Sequence, residues 1–192
     1  MDSPTEYGRD GFARPGPDNT APALELLKKA VAETGVKQVV VASTYGDTGL
    51  VAADLLAESG VTLVVVTHNV GFKEPGRLEM SGEVRNRLAE KGVRVLTGTM
   101  PFRNIGTAIR TSQGYSQQDL VANTLRLFGQ GVKVCCEIAM MAADAGMIEP
   151  KDTFCVAGTG RGADTVALIS PAPSNRLFDL KVRQILIKPR DW

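Results

Sequence analysis

The first half of the chain alternates between amphipathic segments and short apolar runs. The segment "PALELLKKAVAETG", which starts at Pro22, repeats apolar residues three and four positions apart and ends on a glycine, so it predicts a helix. "KQVVVAS" and "VTLVVVTH" are unbroken runs with the length of buried strands, and "DTGLVAADLLAESG" between them predicts a second helix. A strand, a helix and a strand in this order are typical of a parallel sheet.

The second half repeats this pattern with one long interruption. "GEVRNRLAEKG" predicts a helix and "VRVLTG" a third strand, whereas residues 100–131 have no strong strand pattern. In that stretch Ser116, with Asp119 three positions later, predicts the start of a helix. "KVCCEIAMMAADAG" predicts a mostly buried helix and "TFCVAG" a fourth strand. "DTVALISPA" and "VRQILIKPR" predict two final strands, and Pro189 marks the last as an edge or antiparallel strand.

These elements predict an α/β fold: a three-layer sandwich with a mostly parallel sheet, helices on both faces and an antiparallel edge strand. Residues 1–21 are rich in Pro, Gly and charged residues, so they predict an N-terminal arm without a core of its own. Residues 22–192 predict a single α/β domain. The arm and the apolar final strand together favour a homo-oligomer, a dimer.

Composition narrows the class of partner. The chain has 22 Lys and Arg against 21 Asp and Glu, a net charge of +1, so there is no basic field to attract nucleic acid or an anionic membrane. No apolar run approaches the ~20 residues of a membrane span, and the start lacks a secretory signal. The three cysteines form no C-x-x-C pair, so buried thiols are expected and no metal site. We expect a cytoplasmic protein with a small-molecule partner.

Candidate binding residues follow the first four strands. In open α/β sheets, ligands bind beyond the carboxyl ends of the strands, so the exits "STYGDTG", "THNVGFKEPG", "TGTMPFRN" and "GTGRGADT" are expected to face one crevice. In the first, Ser43, Thr44 and Thr48 supply hydroxyl groups ahead of a helix N-terminus, a combination that suits a phosphate. The alternative is a plain strand-to-helix turn that Asp47 or Thr48 caps. Neither the Rossmann nor the P-loop spacing is present.

Other polar residues have more than one interpretation. Arg161, among three glycines, offers donors to a phosphate or a ring carbonyl, or lies in a surface turn. His68, the only histidine, contacts a ligand, transfers a proton or has a structural role in its loop. No catalytic residue is assigned. Glu137 marks a polar stripe at the site or has a solvated or capping role. The predicted cofactor-binding residues are Ser43, Thr44, Tyr45, Gly46, Thr48, Gly49, His68, Asn69, Thr97, Arg103, Glu137, Gly158, Thr159, Gly160, Arg161 and Gly162.

Three segments carry a family resemblance. "VVVASTYGDTGLVAADLL", "VTLVVVTHN" and "GTGRGADT" resemble the C-terminal α/β domain of pyruvate kinase, whose Ser/Thr-Gly loop holds a phosphate of the sugar-bisphosphate activator. "KVCCEIAMMAADAG" and "RGADT" resemble more closely a group of stand-alone bacterial and archaeal proteins with that domain. The resemblance implies a phosphate cradle at residues 43–49 and, from the stand-alone group, flavin mononucleotide (FMN) as the cofactor. A catalytic (β/α)8 barrel needs ~250 residues, so we do not expect a complete pyruvate kinase.

Three functions stay open at this point. The first is binding of a phosphorylated small ligand, FMN by the resemblance, without turnover. The second is a flavin-dependent oxidoreductase, in which the cofactor performs the redox step. The third is a sugar-phosphate-sensing regulatory domain. The sequence shows no nucleophile and base arrangement, so it does not decide whether the protein is an enzyme.

Overall fold

Six strands form one mixed sheet in the computed structural model, which describes residues 11–192. Their bounds are β1 (Gln38–Ala42), β2 (Thr62–Val66), β3 (Arg94–Leu96), β4 (Thr153–Ala157), β5 (Thr165–Ser170) and β6 (Lys181–Ile187). The order across the sheet is β3-β2-β1-β4-β5-β6. The first four strands are mutually parallel, and β5 and β6 are antiparallel additions. The predicted mostly parallel sheet with an antiparallel edge is therefore confirmed.

Residues 11–192 contain six α-helices, of which one precedes β1 and five lie between β1 and β4. They are α1 (Thr20–Thr34), α2 (Asp47–Leu55), α3 (Gly82–Glu90), α4 (Asn104–Gln113), α5 (Gln117–Arg126) and α6 (Gln130–Asp144). The predicted boundaries have physical causes that the structure shows. Gly35 ends α1 with a left-handed φ of 70°, and the Ser116 hydroxyl accepts a hydrogen bond from the Asp119 amide at 3.1 Å where α5 begins.

Helices cover both faces of the sheet, which gives the three layers expected. On one face α1, α2 and α3 pack with Leu27 and Leu88 against Val39 and other alternate strand residues. On the opposite face α6 packs with the α4–α5 segment against Val40 and its neighbours. Cys135, Cys136 and Cys155 are all buried and free, as expected. Burial raises the pKa of Cys136 to about 12, so this thiol stays protonated.

The described part of the predicted arm contacts its own domain. Phe12 forms an isolated parallel bridge with Pro189, and α1 begins at Thr20, within the stretch expected to be arm. The Thr20 hydroxyl accepts a hydrogen bond from the Ala163 amide at 3.0 Å. Residues 1–10 of the arm lie outside the described residues, and the dimer stays a prediction. Within residues 11–192, no helix combines the length and apolar character that a bilayer crossing requires.

Candidate functional site

A cavity of about 340 Å³ opens where β1 and β4 end. We call it the switch-point cavity. After β1 the chain adds β2 and β3 on one side of that strand, and it then returns to add β4 on the other side. The loops that leave β1 and β4 therefore diverge and leave a crevice between them. Such a point, at the carboxyl ends of the strands, is where open α/β sheets bind their ligands.

The cavity brings together most of the predicted residues and several that were not predicted. The predicted residues that line it are Ser43, Thr44, Tyr45, Thr48, His68, Arg103, Gly158, Gly160, Arg161 and Gly162. Five lining residues were missed as binding candidates, namely Ala42, Asp47, Phe72, Gln130 and Val134. Gly46, Gly49, Asn69, Thr97, Glu137 and Thr159 are predicted residues that do not line it.

The hydroxyl groups of the loop after β1 have two roles, one structural and one at the cavity. Ser43 is buried, and its Oγ accepts a hydrogen bond from the Gly49 amide at 3.1 Å, so this side chain satisfies a backbone amide in the first turn of α2. The predicted alternative named Asp47 or Thr48 as the cap, but both lie inside the first turn of α2 and the N-cap position is Gly46. Thr44 Oγ1 lies 3.5 Å from His68 Nε2, and Thr48 lines the cavity at the first turn of α2. These two threonines are the hydroxyl donors that remain for a ligand.

Gly46 and Gly49 serve helix packing. A Cβ atom on Gly46 would lie 2.2 Å from Val84 Cγ1 on α3, and one on Gly49 would lie 2.9 Å from Val65 Cγ2 on β2. Their missing side chains therefore let α2 approach α3 and the sheet. Contact between a ligand and the backbone of these two glycines stays a prediction.

An ion pair spans the cavity from the β4 loop to α2. Arg161 Nη2 lies 2.6 Å from Asp47 Oδ2, and the guanidinium group is 4.5 Å from the centroid of the Tyr45 ring. Lys73 also approaches this ring, at 5.1 Å, and its ammonium group donates to the Tyr45 hydroxyl. An anion at the N-terminus of α2 would compete with Asp47 for Arg161. The carboxylate thus opposes an anionic ligand, while the guanidinium favours one.

Aromatic rings form the opposite wall. The rings of His68 and Phe72 have centroids 3.8 Å apart at an angle of 37°, and Arg103 lies 4.6 Å from the Phe72 centroid. His68 Nδ1 and Thr159 Oγ1 are buried atoms for which the described residues supply no hydrogen-bond partner. Of these two residues His68 lines the cavity, so its Nδ1 is the atom that is open to a ligand or water there.

Burial lowers the pKa of His68 below its ordinary 6.5, and Arg103 and Lys73 act in the same direction. Glu79 and Glu137 oppose this shift, by less than the combined lowering. The ring is therefore neutral at pH 7, with one nitrogen as donor and the other as acceptor. A neutral imidazole beside Thr44 suits hydrogen bonding to an uncharged group of a ligand.

The lowered pKa of His68 predicts that the stability of the protein depends on pH. Between the lowered pKa and 6.5, the unfolded chain binds a proton that the folded chain does not, so stability falls as the pH falls through 6.5. Replacing His68 with Gln removes this proton, so the free energy of unfolding of the variant should fall less steeply in that range. Urea denaturation at a series of pH values measures both slopes. Parallel curves would contradict the shift.

The remaining predicted residues have structural partners. Asn69 Oδ1 accepts a hydrogen bond from Asn104 Nδ2 at 2.8 Å, and Thr97 Oγ1 shares one with Thr67 Oγ1 at 2.8 Å. Glu137 is buried, pairs with Lys133 one turn earlier on α6, and accepts a hydrogen bond from the Phe102 amide at 2.8 Å. The expectation of a solvated Glu137 is wrong, because the carboxylate holds the α4 segment against α6.

Comparison with known proteins gives a distant likeness. No protein-family model matches the chain. Two crystal structures of pyruvate kinase from Cryptosporidium parvum are similar to it, both at 13% sequence identity. One match covers 81% of this chain and 22% of that chain with a TM-score of 0.39, and the other covers 82% and 23% with a TM-score of 0.38. The chain thus spans less than a quarter of the pyruvate kinase chains to which it is similar.

Proposed function

We propose that the switch-point cavity binds a phosphate-bearing small molecule, and that FMN is the first candidate. The observation that carries the proposal is the meeting of the α2 N-terminus and Arg161 at the carboxyl ends of β1 and β4. A helix N-terminus attracts anions, and an arginine adds a planar pair of donors.

The phosphate would bind on the α2 side of the cavity. A single helix terminus contributes only ~0.3 to 2 kcal/mol towards an anion, so several donors must act together. Thr44, Thr48 and Arg161 line the same cavity and supply those donors. In the structure Asp47 already pairs with Arg161 Nη2, so a phosphate would share the guanidinium group with that carboxylate or displace it.

The rest of the ligand would lie against the aromatic wall. His68 and Phe72 form this wall, and Arg103 and the 158–162 loop add hydrogen-bond donors. The volume of about 340 Å³ lies at the lower end of the ~300–1,000 Å³ of small-molecule sites. FMN fits this donor set because it joins one phosphate to one flat ring system with carbonyl groups. When bound, FMN supplies redox chemistry, whereas the residues of this chain hold and orient it.

A melting comparison tests the proposal and separates its alternatives. The four ligands are FMN, riboflavin, fructose bisphosphate and inorganic phosphate. FMN at a hundredfold excess over its dissociation constant should stabilise the protein by ~2.7 kcal/mol and raise the melting temperature. Riboflavin and phosphate should each stabilise less at equal concentration. Stabilisation by the sugar bisphosphate alone would support the sugar-phosphate sensor instead, and no effect from any ligand would reject the proposal.

Variants then locate the phosphate. Arg161→Gln, and Thr44→Val with Thr48→Val, should weaken FMN binding. Asp47→Asn should strengthen it by about fivefold, since it removes ~1 kcal/mol of repulsion and releases Arg161. Asp54→Asn is the matched control, because Asp54 is a second exposed, ion-paired carboxylate on α2, 2.5 Å from Lys91. Turnover of a reduced nicotinamide by the FMN-loaded protein would favour the oxidoreductase.

A further inference from the structure

A second cavity, of about 220 Å³, adjoins the helices that interrupt the α/β alternation. Arg110 on α4, Arg126 on α5 and Lys133 on α6 line it, together with Arg103 and Asp119. We call it the basic cavity. Arg103 also lines the switch-point cavity, so the two cavities share one wall.

The cations of the basic cavity are only partly neutralised by protein groups. Arg110 Nε lies 2.7 Å from Asp119 Oδ2, and Lys133 pairs with the buried Glu137. Arg126 has uncharged partners, since its Nε donates to Gln130 Oε1 at 2.6 Å and its Nη1 donates to an asparagine oxygen at 2.7 Å.

Four cations therefore face two carboxylates, a local excess of two positive charges in a chain whose net charge is +1. Like charges held together raise the free energy of the folded protein unless an anion offsets them.

The pKa of Lys133 is shifted by the same cluster of positive charges. Burial is the main cause that lowers the pKa of its ammonium group, and the positive charges of Arg126 and Arg103 lower it further. Glu137 acts in the opposite direction without reversing the shift. The cavity is thus a place of positive potential to which a buried cation contributes, which distinguishes it from scattered surface arginines.

We infer that the basic cavity is a second binding site, which takes the phosphate or carboxylate group of a small anionic ligand. Guanidinium groups present paired donors that match the oxygens of both groups. The volume of about 220 Å³ is several times the ~30 Å³ of one water, so a phosphate or a small dicarboxylate has room. This inference stands on its own residues and does not depend on what the switch-point cavity binds.

Calorimetric titration with inorganic phosphate and with malonate tests the inference. The protein carries Thr44→Val and Thr48→Val, which weaken any phosphate binding in the switch-point cavity. Into this background Arg110→Gln and Arg126→Gln are introduced together. We expect about tenfold weaker binding, because each exposed ion pair contributes up to about fivefold. The control pair, Arg87→Gln with Arg94→Gln, removes the same charge from exposed positions on α3 and β3.

The outcomes separate clearly. The site is supported if the cavity variant loses binding and the control retains it. The anion that binds more tightly then shows whether the site prefers a phosphate or a carboxylate. Equal losses in both variants indicate only a net-charge effect and overturn the inference, as does absence of binding for both anions. FMN is also titrated into the Arg110→Gln, Arg126→Gln variant that retains Thr44 and Thr48. This titration tells the two cavities apart, because Arg110 and Arg126 do not line the switch-point cavity.

Discussion

Replacing Glu137 with Gln is expected to lower the free energy of unfolding by about 3–5 kcal/mol. The side chains of Lys133 and Glu137 are each only 4% exposed, so the variant leaves an ammonium group buried without its counter-charge. The glutamine has nearly the same volume, and its carbonyl oxygen can still accept the hydrogen bond from the Phe102 amide. The loss therefore reports the charge rather than packing. Urea denaturation measures it.

The chain contains a matched control for this pair. Lys29 and Glu33 on α1 have the same order and spacing, but their side chains are 43% and 51% exposed and lie 3.9 Å apart. Glu33→Gln should cost less than about 0.5 kcal/mol. Adding Lys133→Met to Glu137→Gln removes the buried cation and should recover most of the stability. Equal, small losses in the two single variants would contradict the buried-charge explanation.

The fold was predictable because its signals are local. The β-branched runs of β1 and β2 are too short and too apolar for anything but buried strands, and Gly35 and Ser116 mark helix ends by their own chemistry. The parallel order of the first four strands then follows from the helices between them. The edge position of β6 followed from the proline that ends it.

Of the candidate site, the sequence predicted mainly the residues that directly follow a strand. Thr44, Thr48 and Arg161 follow strands directly, so topology alone gathers them. The ion pair between Asp47 and Arg161 was missed because the two residues are 114 positions apart and no local pattern joins them.

The solvated alternative for Glu137 was wrong, although the sequence held a signal of its burial. A lysine four residues before an acid on an otherwise apolar helix indicates a buried ion pair, because neither charge is buried alone.

Gly46 shows how one residue type has two explanations that sequence cannot separate. A glycine after a strand favours both close approach of a ligand and close packing of a helix. The structure shows the second, since a Cβ atom there would lie 2.2 Å from Val84 Cγ1, and Gly46 also has a left-handed φ of 91°. Both constraints act at the N-terminus of α2, which is the end of the helix that faces the switch-point cavity.

Gly46→Ala is accordingly expected to destabilise the protein by about 3 kcal/mol. The left-handed backbone contributes ~1–2 kcal/mol of this for a residue with a Cβ, and the overlap with Val84 contributes ~1–3 kcal/mol. Gly35→Ala is the control, because Gly35 also has positive φ but a Cβ there would meet nothing within 4 Å. It should show the backbone cost alone, about 1 kcal/mol.

A double-mutant cycle separates the two costs at Gly46. Val84→Ala removes the methyl group that a Cβ on residue 46 would strike, so it should recover the steric share of the loss in Gly46→Ala but not the backbone share. The interaction energy between the two substitutions should be favourable by ~1–3 kcal/mol in chemical denaturation. Independent, additive losses would show that Val84 does not set the position of α2. If the overlap instead pushes α2 outward, Gly46→Ala should also weaken FMN binding, and Val84→Ala should restore it, because the phosphate donors move with the first turn of that helix.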